Sequence, residues 1–183
     1  MNVARTRLAL PVVTAGCLLL VVRPVLWRYL SDPTGALVAL FGALLLIGVA
    51  WPVPDSGPAT RWPIMLVVAA IGILAFACGR ILGGGHAPSQ LTMRVVVLGS
   101  LAAVAEEAFF RRLLYGVFAR NGPTAALVAS TVLFALVHVS VYGWWVLPID
   151  LAAGAVLGWQ RLASGSWRVP AITHVLANLL VVI

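Results

Sequence analysis

The chain has 183 residues, of which 62% are hydrophobic and 9% charged, with a mean hydropathy of +1.07 and a formal net charge of +7. A soluble domain carries about 25% charged residues, so this composition excludes a water-facing surface and defines an integral membrane protein. The basic residues are all arginines, scattered one or two at a time at the ends of apolar runs. That is the pattern of loop charges that set topology. It provides no continuous basic stripe, which excludes nucleic acid and leaves the lipid bilayer as the expected surrounding.

A membrane helix needs about 20 mostly apolar residues, and seven segments meet that need in chain order. The first covers 8–28. Arg5 and Arg7 before Leu8–Val22, and the "TAGC" that follows, have some look of a signal peptide or lipoprotein site. Thr14 stands where a leucine is wanted, and the apolar stretch before it is short; the segment reads as a retained first membrane helix. The second covers 34–52 and the third 62–82. The fourth, 91–118, is long and is interrupted by Glu106, Glu107, Arg111 and Arg112. The fifth covers 123–141, the sixth 144–162 and the seventh 167–183. The breaks carry turn chemistry in "SDPTG", "PVPDSGPATR", "GGGHAPS", "RNGP" and "ASGS". The seven tryptophans lie near segment ends, as interfacial aromatics do. The expected architecture is all-α, a polytopic bundle around an intramembrane catalytic cavity. Residues 1–90 form an N-terminal part of three helices and residues 91–183 a core of four.

Orientation follows from counting arginines. With a cytoplasmic N-terminus, the inside segments hold Arg5, Arg7, Arg61, Arg111, Arg112, Arg120, Arg161 and Arg168, and the outside loops hold Arg23, Arg28, Arg80 and Arg94. The excess favours N-in, in a multi-pass protein of the cell membrane.

Ionisable groups at membrane depth cost roughly 2.5–3.5 kcal/mol each on insertion scales, so they mark function by default. Glu106, Glu107, Arg111, His138, Asp150, His174 and Asn178 survive once loop charges are removed. Glu106 and Glu107 are the sole glutamates in the chain. Glu107 and Arg111 are spaced i,i+4 and share a helix face. Glu106 is turned about 100° away and has no partner in its own helix, which suits a base that takes a proton and returns it. His174 and Asn178 are again i,i+4, so one face of the last helix offers an imidazole and an amide. Each feature alone has a plainer reading. A lone membrane histidine or asparagine more often holds helices together, Glu107 and Arg111 suit a structural pair, and Asp150 beside Pro148 reads as structural. The cysteines Cys17 and Cys78 form no metal-ligand spacing. Together, the carboxylates, the arginine, the two histidines and the asparagine on three helices are a constellation able to activate water and stabilise an oxyanion.

These residues carry a resemblance. "EEAFFRR" is similar to the EExxxR motif of the CAAX protease and bacteriocin-processing family of intramembrane proteases, "FALVH" to its FxxxH motif and "HVLAN" to its HxxxN motif, in the same order. The resemblance covers roughly 90–183. It implies that Glu106 is the general base, with His138 beside it. It implies that Glu107 and Arg111 form a supporting ion pair, and that His174 and Asn178 stabilise the tetrahedral oxyanion. The implied reaction is endoproteolytic cleavage near the C-terminus of a peptide or protein whose tail is associated with the membrane. Family members often carry glycine after the motif arginine, where this chain has Arg112.

The absence of HExxH excludes the usual zinc site with two histidines on one helical turn. A zinc set of Glu106, His138 and His174 remains as an alternative. The simpler division makes Glu106 the base and needs no cofactor. Other functional classes stay open: a non-catalytic scaffold or immunity protein of the same family, or a small transporter, although no inverted repeat is visible. Depth raises a tension. His138 lies about 15 residues into its helix and His174 about seven into its own, which at 1.5 Å per residue sets them at different levels unless helices tilt or break.

Overall fold

The computed structural model describes residues 3–53, 61–83 and 92–182. Seven helical segments build it: α1 (Val3–Tyr29), α2 (Thr34–Ala50), α3 (Trp62–Leu82), α4 (93–118), α5 (Pro123–Tyr142), α6 (Leu147–Ser164) and α7 (Arg168–Val182). No strand occurs among the described residues. The all-α membrane bundle expected from composition is therefore the observed architecture. Ala9–Tyr29 within α1, and α3 and α5 as a whole, are long and apolar enough to cross a membrane, and α2 is a shorter apolar helix. Outward faces carry Leu46, Leu66, Leu74, Ile81 and Leu82, all well exposed. So much contiguous apolar surface calls for lipid rather than water around it.

The helix ends follow local chemistry. Asp32 Oδ1 accepts from both the backbone N–H and the hydroxyl of Thr34, which starts α2. The α2 helix stops at Ala50 because Trp51 precedes Pro52 and is driven to extended geometry, ψ 128°. Thr92 caps α4 through its hydroxyl, which accepts from the Val95 N–H. Gly143 (φ 86°) ends α5 and Gly165 (φ 67°) ends α6, two positions where a side chain would be strained. A short 3₁₀ turn, Trp144–Val146, leads into α6 where the sequence pattern suggested the helix itself.

The central element is α4, which packs against α1, α2, α5, α6 and α7, while α3 lies on α6 and α7. It is not one regular helix. Met93–Glu107 is α-helical, Ala108–Leu114 is a π-helical stretch, and Tyr115–Phe118 returns to α. Phe109, Phe110, Leu113 and Leu114 of the wide turn are fully buried against Leu20, Leu37, Phe41 and Leu44 of the first two helices. One core thus joins the two halves of the chain. The widening begins one residue after the glutamate pair, and π-bulges are frequent at functional sites.

His86 and Asp55, with most of the turn sequences around them, lie outside the described residues.

Candidate active site

The two glutamates are set apart by the helix period and meet different partners. Glu107 is fully buried. Its Oε1 forms an ion pair with Arg111 Nη1 at 3.1 Å across one turn and accepts from His174 Nδ1 at 2.9 Å from α7. A carboxylate only accepts, so Nδ1 of His174 carries the proton and Nε2 is the nitrogen left for other work. Arg111, also fully buried, donates from Nη2 to the Gly154 carbonyl at 3.2 Å and lies over the Phe134 ring at 4.5 Å. Gly154 also lets α6 pack closely on α5: a Cβ there would crowd Thr131 and Phe134.

Glu106 is also buried but faces away from that pair. Its Oε1 accepts from Arg23 Nη1 at 3.2 Å, and its Oε2 stands 3.8 Å from His138 Nε2. His138 Nδ1 donates to the Phe134 carbonyl at 2.7 Å. The carbonyl has no proton to give, so this bond fixes the tautomer and turns Nε2 toward Glu106. The His138 ring packs on Phe134, centroids 4.5 Å apart, and stacks at 8° on Tyr142. A gap of 3.8 Å is too wide for a direct hydrogen bond. One water placed about 2.8 Å from each atom would join them, off the line between them.

The expected mismatch in depth does not arise. Both imidazoles pack on the Phe134 ring, at 4.5 and 5.9 Å, and so share one level. A 15-residue helix such as α7 rises about 22 Å, less than the roughly 30 Å hydrocarbon core. Counting from a common membrane face therefore misplaced His174.

Five of the six sequence-selected residues fall into these two adjoining groups. Asn178 does not touch either; its Nδ2 donates to the Gly99 carbonyl at 3.1 Å, fastening α7 to α4. His174 meets Glu107 by direct contact, where sequence reasoning had assigned that carboxylate to Arg111 alone. Arg23, counted among loop charges, is a buried side chain inside α1. Arg111 and Arg161 are likewise buried, and Arg112 reaches into the bundle to α2, so these are not loop charges either. An arginine within an apolar run needs an acid, and the first predicted helix, 8–28, already contained Arg23; that was the available signal. Asp150 lies within electrostatic reach of Glu106 and His138, with Oδ2 buried and without a hydrogen bond.

The zinc alternative can be tested on the donors. Among the described residues no group of three or more His, Cys, Asp or Glu side chains is placed to hold a metal ion. The Nδ1 atoms of His138 and His174 are engaged, by Phe134 and Glu107, which leaves Nε2 as the free nitrogen of each ring, as is usual for a metal-bound histidine.

A helical membrane bundle that buries two carboxylates and two imidazoles at one level defines the class. Residues 88–180, half of the chain, match the family described as type II CAAX prenyl endopeptidase Rce1-like, and the chain belongs to that family of proteases. No curated protein and no solved structure matches it.

Proposed function

We propose that the chain is a multi-pass intramembrane endopeptidase, N-terminus cytoplasmic, that cleaves a peptide or protein near its C-terminus or membrane-proximal tail. The observation that carries this reading is the opposition of Glu106 Oε2 and His138 Nε2 at 3.8 Å, in a buried site. A water held by both is oriented for attack. Glu106 takes its proton as the new C–O bond forms, and the carbonyl oxygen becomes an oxyanion. His174, fixed at Nδ1 by Glu107, faces that oxyanion with its second ring nitrogen, and the remaining Asn178 amide hydrogen is a donor to it. When the C–N bond breaks, the proton on Glu106 passes to the leaving amine. The second proton of the water stays on the new acid, so the products are a carboxylic acid and an amine, and no step uses a metal.

A membrane-associated tail fits the surroundings. A groove of about 420 Å³ runs beside α7, lined by Val104, Ala171, Ile172, Val175 and Leu176, with Trp167 and Arg168 also on its wall. Its lining is apolar, and it borders the helix that carries His174. It suits the hydrocarbon part of a substrate held in the bilayer.

The test compares the C-terminal peptidome of membranes carrying the wild-type chain with that of Glu106→Gln. Cleaved C-termini are expected only with the wild type. Purified protein is expected to keep its cleavage activity after exhaustive chelation; loss that zinc alone restores would establish the metal mechanism. A cell function unchanged in Glu106→Gln would favour the scaffold or immunity reading.

A further inference from the structure

We propose that Arg23 of α1 is a positioning residue for the Glu106 base. By occupying Oε1 it leaves Oε2 as the oxygen that faces His138. This deepens the endopeptidase reading and rests on it.

The observations are geometric. Arg23 and Glu106 are both buried, 8% and 3% exposed, and pair at 3.2 Å between helices otherwise far apart in sequence. The guanidinium lies over the Phe41 ring of α2, 5.8 Å from its centre, so an aromatic face packs on it. Its position is thereby set by two helices of the N-terminal half. Glu106 has one oxygen on Arg23 and one toward His138, so the two contacts together define its rotamer. Arg23 lies outside the matched family residues, 88–180. The N-terminal helices thus reach the reacting centre rather than only filling the membrane around it.

The charged and titratable groups around Glu106 are Arg23 on α1, Arg111 on its own helix, His138 and Tyr142 on α5, Asp150 on α6 and His174 on α7. Arg111 is committed to Glu107 and Gly154, and Asp150 repels a carboxylate. Arg23 is therefore the cation that contacts Glu106 directly, and guanidinium geometry is matched to that task.

A purely structural pair would be replaceable by any change that keeps the fold. Arg23→Lys, Arg23→Gln and Arg23→Leu separate the two roles, with thermal unfolding in detergent reporting the fold. In folded protein, Arg23→Leu and Arg23→Gln are expected to lower kcat roughly 10- to 100-fold with KM little changed, and Arg23→Lys to recover part of the loss. The probe is an internally quenched prenylated peptide with a CAAX end. A second readout needs no substrate. Infrared difference spectra at neutral pH, Arg23→Leu minus wild type, are expected to show the carbonyl stretch of a protonated carboxyl, and the same difference taken in the Glu106→Gln background is expected to lack it. Folded Arg23→Leu with wild-type kcat, or with no such band, overturns the proposal. If the band appears but membranes carrying the wild type show no cleaved C-termini beyond those of Glu106→Gln, the positioning of Glu106 stands and the endopeptidase reading falls.

Discussion

Glu107 and His174 meet at 2.9 Å, Oε1 to Nδ1, and the same oxygen is ion-paired with Arg111. One buried carboxylate thus holds an imidazole on α7 and a guanidinium on its own helix. The arrangement converts a helix-surface pair into a three-way junction between α4, α6 and α7, since Arg111 continues to the Gly154 carbonyl. Removing the carboxylate leaves a fully buried cation without its counter-charge. Glu107→Ala is expected to destabilise the protein by about 3–5 kcal/mol, the usual cost of breaking a buried pair. His174→Ala should cost less, because Arg111 keeps Glu107. Unfolding in detergent measures both, and equal losses would show that Arg111 contributes little to the junction.

The π-helical stretch depends on a close approach by α2. A Cβ added at Gly48 would lie 2.6 Å from the backbone carbon of Ala108 and 2.8 Å from its oxygen. Backbone cannot rotate aside as a side chain can. Gly48→Ala is expected to cost about 1–3 kcal/mol through overpacking and to displace the glutamate pair just before Ala108, lowering activity as well. Gly42→Ala on the same helix meets nothing within 4 Å and serves as the control. Its own effect should be neutral or slightly stabilising.

The fold was legible because lipid imposes a simple code. Runs of about 20 apolar residues ended by proline and glycine gave helix limits within a few residues of Thr34–Ala50, Trp62–Leu82 and Pro123–Tyr142. Glu106, Glu107, Arg111, His138 and His174 stood out in the sequence because polar groups in such runs are costly. Three things were hidden. The π-helical stretch leaves the apolar pattern of "AFFRRLL" intact, so period alone could not reveal it. The Glu107–His174 contact joins α4 to α7, and i,i+4 logic speaks only within one helix. Arg23 was read as topology because arginine near a helix end serves both purposes; its burial decides between them.

Asp32 gives the chain a pH-dependent fastening at one end of the bundle. The Thr34 hydroxyl, then the Thr34 backbone N–H, and with them Arg94, hold its carboxyl below the usual carboxylate range. Arg94 Nη2 pairs with it at 2.7 Å, tying the α1–α2 turn to the start of α4. A group whose folded value is depressed contributes stability above its unfolded value and loses it as pH falls through the folded one. The difference in unfolding midpoint between wild type and Asp32→Ala is therefore expected to be constant near neutral pH and to shrink below about pH 4, the ordinary aspartate range. The ion pair is exposed, so added salt should weaken its share while leaving the Thr34 bonds. A difference that grows on acidification would refute this assignment.

Arg112 stands where family members often have glycine, and here it completes α2. Its Nη1 donates to the Gly48 carbonyl at 2.6 Å and to the Trp51 carbonyl at 3.0 Å. In a continuing helix Gly48 would receive the N–H four residues on, but that residue is Pro52, which has none. The arginine supplies the missing donor from α4. Arg112→Ala is expected to cost about 1.5–3 kcal/mol, the range for hydrogen bonds to a charged group, with kcat of the folded protein unchanged, because the side chain does not touch the glutamate or histidine groups. Gly48 is then the meeting point of two effects, since its carbonyl accepts from Arg112 and its missing side chain admits Ala108. Displacing α2 should already strain the Arg112 bond, so Gly48→Ala/Arg112→Ala is expected to lose less stability than the single losses added together. Strict additivity in unfolding measurements would mean that the helix end and the glycine contact act independently.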